Sequence, residues 1–340
     1  MDRHTLLHAY RLMYSVKIMA DTYEANRSIT KYVHSTSRGH EAIQLATAFQ
    51  LKPHDWVSPY YRDESLLLGM GWTPYQLMLQ LLTKGDDPFT GGRSYYSHPA
   101  SRREDRPKII HQSSATGMQV IPTTGVAQGL QYLQQIGSHK LQKGENGELP
   151  VVVCSLGDAS ATEGEVSEAL QFAVLKQLPI IYLVQDNEWG ISVTAEEGRA
   201  MDAYEYAAGF KGLNRVRVDG TDFFQSYETM KMVVDTVRET RQPWLVHART
   251  RLLHHHTSGV RKEFYRSEED LELHAVDDPL PKLRTAIVED FTEEWLEKIE
   301  AEVEAEIKDH FERAVAADEP DPAGVADHVF APTPIKEEEG

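Results

Sequence analysis

Two oxygen-bearing side chains, Asp158 and Asn187, each follow an apolar run that reads as a buried strand. The first run is VVVCSLGDAS (151–160) and the second is PIIYLVQDN (179–187). Both are aliphatic and β-branched, as parallel strands covered on two faces are. Between them a helix fits from about Glu163 to Lys176, with Val166, Leu170, Ala173 and Val174 on one side. In open α/β sheets ligands bind beyond the carboxyl ends of the strands. Asp158 and the amide of Asn187 are therefore set to converge on one hard cation. An ion of the magnesium type keeps few protein ligands and takes the rest from water and phosphate. A carboxylate, an amide and one backbone carbonyl leave room for a bound diphosphate. The same residues have a bland reading: Gly157-Asp158 is a common turn, and Asn187 caps another.

The elements that must position these groups are legible in outline. Leu6, Leu7, Tyr10, Met13, Tyr14 and Lys17 repeat at helical spacing. Gly39 opens a second helix with Ile43, Ala46 and Phe49 apolar, and Pro53 to Pro59 reads as a loop holding Trp56. Helices follow over roughly 62–69 and 73–83, the second started by a Thr73 cap and Pro74. Residues 84–112 read as a long polar loop in which GGRSYYSH (91–98) is either an active-site wall or a solvated stretch. A helix at about 122–136, a strand RVRVD (215–219), a helix near 223–240 and a strand PWLVHA (243–248) complete the alternation. That order predicts an α/β fold, a mainly parallel sheet with helices on both faces. A C-terminal amphipathic helix is expected from about 281 to 316, with Leu296, Ile299, Val303, Ile307, Phe311 and Val315 on its stripe. The expected division is one diphosphate-binding domain, 1–317, and an acidic, Pro-containing tail or linker, 318–340.

Around Asp158 and Asn187 the chain resembles the thiamine-diphosphate enzymes, whose signature is Gly-Asp-Gly followed at a set separation by Asn-Asn. Here it reads Gly157-Asp158-Ala159 and Asp186-Asn187. The wider segment GDASATEGEVSEALQFAVLKQLPIIYLVQDNEWGISV is similar to the alpha subunit of 2-oxo acid dehydrogenases, the decarboxylating component of those complexes. RGHEAIQ (38–44), DWVSPYYRDES (55–65), SSATGMQVIPTTGVAQGL (113–130) and RTRLLHHHTSGVRKEFYRS (249–267) extend the likeness from about residue 5 to 275. The resemblance implies a thiamin-diphosphate-binding fold, with thiamine diphosphate and Mg²⁺ as cofactors. It makes Asp158, Asn187 and the carbonyl of Trp189 the metal ligands. Tyr61, Arg62, Ser114, Thr116, Gly157, Ala159 and Gln185 are implied cofactor contacts. His255 and His98 are implied to face the reacting groups.

The implied activity is oxidative decarboxylation of a 2-oxo acid, with acyl transfer to a lipoyl group. Branched-chain substrates of the 3-methyl-2-oxobutanoate type lead, with pyruvate or acetoin as alternatives. The implied partners are a beta subunit carrying the pyrimidine-binding half, giving a heterotetramer, and a lipoylated acyltransferase. The chain alone is expected to be inactive. Three departures stand out: Ala159 replaces Gly, Asp186 replaces the first Asn, and His256 stands where the family has Ser. Ala159 requires a backbone without positive φ, and Asp186 either tightens the metal site or caps a turn. The choice among His254, His255 and His256 stays open. These departures also keep a second class in play, a non-catalytic paralogue with a decayed site. A transketolase relative explains 249–267 poorly, and no G-x-G-x-x-G follows a strand to favour a nicotinamide enzyme.

Composition sets the outer bounds. The chain has 340 residues, is 41% hydrophobic and can bury a large core. Its net charge of −18 argues against nucleic acid as the main partner. No apolar run suits a membrane helix, and no leader of secretory type is visible. The single cysteine, Cys154, rules out an internal disulfide framework and reads as packing. A cytoplasmic location is the expectation.

Overall fold

The computed structural model of the chain describes residues 1–110 and 115–327. Its strands are β1 (Trp56–Ser58), β2 (Lys108–Ile109), β3 (Val152–Gly157), β4 (Ile180–Asp186), β5 (Trp189–Gly190), β6 (Val193–Thr194), β7 (Asn214–Asp219) and β8 (Trp244–Arg249). Six of them form one sheet in the order β2-β1-β3-β4-β8-β7, and every pairing is parallel. The small strands β5 and β6 make a separate antiparallel hairpin just beyond β4. The helices are α1 (Arg3–Ala25), α2 (Glu41–Ala48), α3 (Glu64–Gly69), α4 (Pro74–Leu81), α5 (Val120–Gln135) and α6 (Gly164–Lys176). Then come α7 (Ala195–Gly198), α8 (Ala203–Tyr206), α9 (Phe223–Thr240), α10 (Glu268–Val276), α11 (Pro279–Ile287) and α12 (Glu293–Ala316).

Strand alternation splits the core in two. Val153, Ile181, Leu183 and Val246 pack with α1, α2, α9 and α11 on one face. Val152, Cys154, Leu156, Ile180 and Val184 pack with α5 and α6 on the other. Both faces are covered, which is why β3 and β4 run apolar on both sides over Val152–Cys154 and Ile180–Val184, and turn polar only toward their carboxyl ends at Ser155, Gln185 and Asp186. Cys154 is fully buried in that second layer, and burial pushes its thiol up to about 12. A third cluster joins α1, α3, α4 and α12 beside the sheet.

Several elements differ from the sequence expectation. The stretch read as a loop around Trp56 contains β1, and the long polar loop contains β2. Both strands are too short to carry a periodic signal; pairing decides them, β1 against β3 and β2 against β1. The C-terminal helix expected over 281–316 is two helices. Asp278 and Pro279 start α11, whereas Thr292 caps α12 by accepting from the Trp295 N–H. Val315 is exposed, and Ala314 takes the buried place instead. In α4 the Thr73 signal is realised as a full capping box with Gln76. Residues just past α12 return to the long loop. Gly85 N–H donates to the Asp318 carbonyl at 2.9 Å, and Lys84 pairs with Glu319 at 2.9 Å. Residues 328–340, the rest of the expected tail, lie outside the described residues.

One close backbone approach ties the α2 entry to the end of β8. Gly39 has φ +95°, and a methyl there would sit 1.9 Å from the Arg251 carbonyl oxygen. The Gly39 carbonyl accepts from the Arg251 N–H at 3.2 Å. Gly39→Ala therefore meets both a steric and a conformational penalty. It is expected to destabilise the fold by roughly 3 kcal/mol. Urea unfolding measures this, and a variant within about 0.5 kcal/mol of the parent would mean the contact is not held.

Candidate active site

The register of the two central strands sets Gly157 opposite Gln185. Asp158 and Asn187, one and two residues further on, therefore emerge together at the carboxyl edge of the sheet. They open onto a cavity of about 430 Å³. Tyr61, Arg62, His98, Thr116, Gly157, Asp158, Ala159, Asn187 and Trp189 all line it, so nine expected residues from five separate segments meet. Ser114 lies outside the described residues. Ala159 starts a short 3₁₀ turn, Ala159–Thr162, and its φ is not positive, so the missing glycine costs no backbone strain.

Two expected residues are placed elsewhere. Gln185 was expected to face the diphosphate, but it is fully buried and absent from the cavity wall. It belongs to β4, whose alternation turns it into the sheet's interior. Its Nε2 donates to Asp63 at 2.7 Å and to Ser155 Oγ at 2.8 Å. Its Oε1 accepts from Gln44 Nε2 and His40 Nδ1, both at 2.9 Å. All four hydrogen-bonding capacities are filled, so Gln185 orients its neighbours and touches nothing in the cavity. Burial pushes Asp63 up to about 7. Because His40 Nδ1 donates, its Nε2 is the acceptor, and it takes the Asn187 Nδ2–H at 3.1 Å. The Asn187 amide is thereby fixed with Nδ2 inward. Its Oδ1 accepts from the Trp189 N–H at 3.1 Å.

His255 is the other residue placed outside the cavity, whose wall His256 lines instead. Neighbours in an irregular segment point in different directions, which spacing alone does not reveal. His255 turns toward Glu24 and Glu263, 3.8 and 3.9 Å away, and its Nδ1 accepts from the Lys262 N–H. His256 Nδ1 accepts from the Ile191 N–H at 3.2 Å, so its Nε2–H faces the Tyr61 hydroxyl at 3.1 Å. Burial, then the Arg62 charge, lowers the His256 pKa to about 2. It is a neutral imidazole throughout the physiological range. Ile191, which also lines the cavity, has φ +57°, a strained conformation for a β-branched residue. Sequence spacing gave no sign of His40, Ile191 or Arg199.

The acids form a coupled group. Arg199 donates to Asp158 Oδ2 at 2.9 Å and to both oxygens of Asp186 at 2.8 and 2.7 Å. His247 Nε2 adds a contact to Asp186 Oδ2 at 2.8 Å. Asp186 Oδ1 also accepts from the Glu188 N–H at 3.0 Å, so the residue does cap a turn. Burial, reinforced by the Asp186 charge, pushes the Asp158 pKa up. Burial also opposes ionisation of Asp186, but the bonds from His247 and Arg199 outweigh it and hold that pKa down.

The cavity suits a cofactor that carries phosphate and a hard ion. Arg62 is almost wholly buried yet lines the cavity, and its Nε has no hydrogen-bond partner among the described residues. Its Nη2 donates to the His256 carbonyl at 3.0 Å. A buried donor without a partner is costly, so an anion is the fitting occupant. Among the described residues no three His, Cys, Asp or Glu side chains form a metal cluster. One carboxylate with one amide oxygen is instead the donor set that magnesium-type ions use, completed by phosphate and water.

Comparison with known proteins bears on this cavity. The family profile described as "Dehydrogenase E1 component" matches residues 10–323. A 3-methyl-2-oxobutanoate dehydrogenase subunit alpha from Mycobacterium tuberculosis is 29% identical over 276 residues, 81% of this chain and 68% of the relative. A 2-oxoisovalerate dehydrogenase subunit alpha from Bacillus subtilis is 27% identical over 297 residues, 86% of this chain and 85% of the relative. A pyruvate dehydrogenase E1 component subunit alpha from Acholeplasma laidlawii is 27% identical over 319 residues, covering 92% and 84%.

A buried acid behind the cavity wall gives the fold a pH dependence. Glu64, fully buried, accepts from the Tyr96 hydroxyl, while its Oε2 has no partner among the described residues. Burial raises its pKa from 4.5 to about 7. The folded state thus holds the proton more tightly than the unfolded chain does. Its contribution is complete below about pH 4.5 and is lost as the pH rises through about 7. Between pH 5 and 8 the wild type is expected to lose on the order of 2–3 kcal/mol more stability than Glu64→Gln. Equal slopes in urea titrations of the two proteins across that range would refute the assignment.

Proposed function

The chain belongs to the dehydrogenase E1 component family, and from that premise we propose that it is the alpha subunit of a thiamine-diphosphate-dependent 2-oxo acid dehydrogenase. One observation carries the site assignment: Asp158, Asn187 and Arg62, whose buried Nε has no partner among the described residues, line one cavity at the carboxyl edge of β3 and β4. In this reading Asp158, Asn187 and the Trp189 carbonyl hold Mg²⁺. Arg62 and Tyr61 hold the diphosphate, with Thr116, Gly157 and Ala159 around it. Ser114 joins them by resemblance alone. Branched-chain 2-oxo acids are the leading substrates, in keeping with the names of two of the relatives. Pyruvate is the runner-up, supported by the third.

Thiamine diphosphate, when bound, supplies the carbanion chemistry that releases carbon dioxide from a 2-oxo acid. The chain's own residues bind and orient. The Arg62 guanidinium matches phosphate oxygens and stacks near the Tyr61 ring, 5.4 Å from its centroid. Neutral His256 holds the Tyr61 hydroxyl and leaves the diphosphate's negative charge to Arg62. His98, half-buried beside Tyr95, presents its ring at the opposite wall, with Nδ1 near the Tyr96 carbonyl at 2.9 Å. His98 is the proposed proton-handling group toward the substrate, and neutral His256 positions the Tyr61 hydroxyl. His255, which the family pattern names, sits outside this wall. A beta subunit supplies the groups that contact the rest of the cofactor, and a lipoyl-bearing acyltransferase accepts the acyl group. Against the decayed-paralogue reading stands the convergence of Asp158, Asn187 and Arg62 on one cavity.

Asp158→Ala tests the assignment directly. Thiamine diphosphate with Mg²⁺, at about 100 times its Kd, stabilises a single-site protein by about 2.7 kcal/mol. The wild type should therefore gain several degrees in melting temperature, and Asp158→Ala should gain none while keeping its far-UV circular dichroism. A full magnesium-dependent shift in the variant would remove Asp158 from the metal site.

A further inference from the structure

We propose that Arg199 is a built-in counter-cation of the metal site, which yields Asp158 to the divalent ion while remaining on Asp186. The inference deepens the metal reading above and rests on it. Its first support is an asymmetry of contacts. On the Asp186 side, Arg199 Nη2 reaches both carboxylate oxygens at 2.8 and 2.7 Å. His247 braces the same carboxylate at 2.8 Å. On the Asp158 side there is a single contact, Nη1 to Oδ2 at 2.9 Å. The Asp158 end is the one that breaks first.

Charge supplies the second support. The side chains of Asp158 and Asp186 are 5% and 6% exposed, and that of Arg199 is 11%. Two buried carboxylates side by side need a cation, because removing the partner of a buried charge is strongly unfavourable. Arg199 meets that need whenever the ion is elsewhere. When a divalent ion takes Asp158, one guanidinium and one carboxylate remain matched at Asp186.

Space is the third. A second cavity of about 290 Å³ lies against the Arg199–Asp158 contact, lined in part by Gly198, Met201, Asp202 and Tyr206. Arg199 follows the four-residue helix α7 in a connecting segment, with Gly198 before it. The guanidinium therefore has room to turn from Asp158 without breaking a long element. Asp186 is not itself a ligand in this scheme. Its oxygens are taken by Arg199, His247 and the Glu188 N–H, and it does not line the main cavity. The acid at 186 is there to hold the arginine.

The test is Mn²⁺ binding to the chain assembled with its co-expressed beta-type partner, in the presence of thiamine diphosphate, read by electron paramagnetic resonance. Arg199→Met removes a competing positive charge at contact distance, so Mn²⁺ should bind at least about tenfold more tightly than to the wild type. Asp186→Asn leaves Arg199 with Asp158 as its remaining carboxylate, so Mn²⁺ should bind at least about tenfold more weakly. A merely structural arginine predicts the opposite sign for Arg199→Met, because a loosened site binds less. Unchanged or weaker Mn²⁺ binding in Arg199→Met overturns the proposal. If that variant does not fold, unchanged or tighter binding in Asp186→Asn overturns it. A wild type that binds no Mn²⁺ sinks the metal reading itself. A wild type that binds while both variants match it sinks only the counter-cation.

Discussion

Two carboxylates share one guanidinium at the carboxyl edge of a parallel sheet, and much of the site's geometry follows from that. Asp158 continues from β3 and Asp186 ends β4, so the register of adjacent strands forces the acids together. Strand β8 then sets His247 beside Asp186, since Val184 pairs with His247 in the same ladder. Burial makes the arrangement demanding. In a low-dielectric edge each uncompensated charge costs far more than on the surface. Arg199 satisfies the demand through a side chain. Under the counter-cation proposal a divalent ion at Asp158 would exchange one compensation for another without creating a naked charge.

Beneath this edge the floor of the cavity is rigid for a different reason. Gln185 uses its whole amide on Asp63, Ser155, Gln44 and His40. That fixes the tautomer of His40, and His40 in turn fixes which atom of the Asn187 amide points inward. A chain of neutral hydrogen bonds therefore decides the orientation of a proposed metal ligand. Buried polar networks of this kind specify a single arrangement only when every member is satisfied. Among the described residues two buried atoms at the margin of this network have no partner, Gln44 Oε1 and Arg62 Nε.

The central sheet was legible in the sequence because β3 and β4 are unbroken apolar runs flanking a helical period. Helix α9, expected near 223–240, occupies Phe223–Thr240, since Asp222 caps its start clearly. The short strands β1 and β2 were not legible, because pairing and not composition makes them strands. The α11–α12 break was hidden because each helix keeps a three- and four-residue apolar stripe, and only the five-residue step from Phe291 to Leu296 interrupts it. At the site, the positions at strand ends were readable from topology, as were Tyr61 and Arg62 from the family pattern. His256 was not separable from His255, because three adjacent histidines in a loop carry no periodicity. The place of Gln185 away from the cavity wall was not readable, because the signature counts residues along the chain, whereas strand alternation decides which side each one faces.

The three departures from the family signature bear on whether the site is kept or lost. A drifting site sheds partners one at a time, leaving orphaned groups behind. Here each departure has a matching neighbour. Ala159 sits where a methyl on Gly190 would come within 3.0 Å, so the methyl gained at 159 fills the space left at 190. Asp186 is paired with Arg199 and His247, and no charge is stranded. His256 joins Tyr61 to the strained Ile191 backbone, giving that conformation a hydrogen bond to hold it. Each of the three departures is thus met by a contact from another segment of the chain.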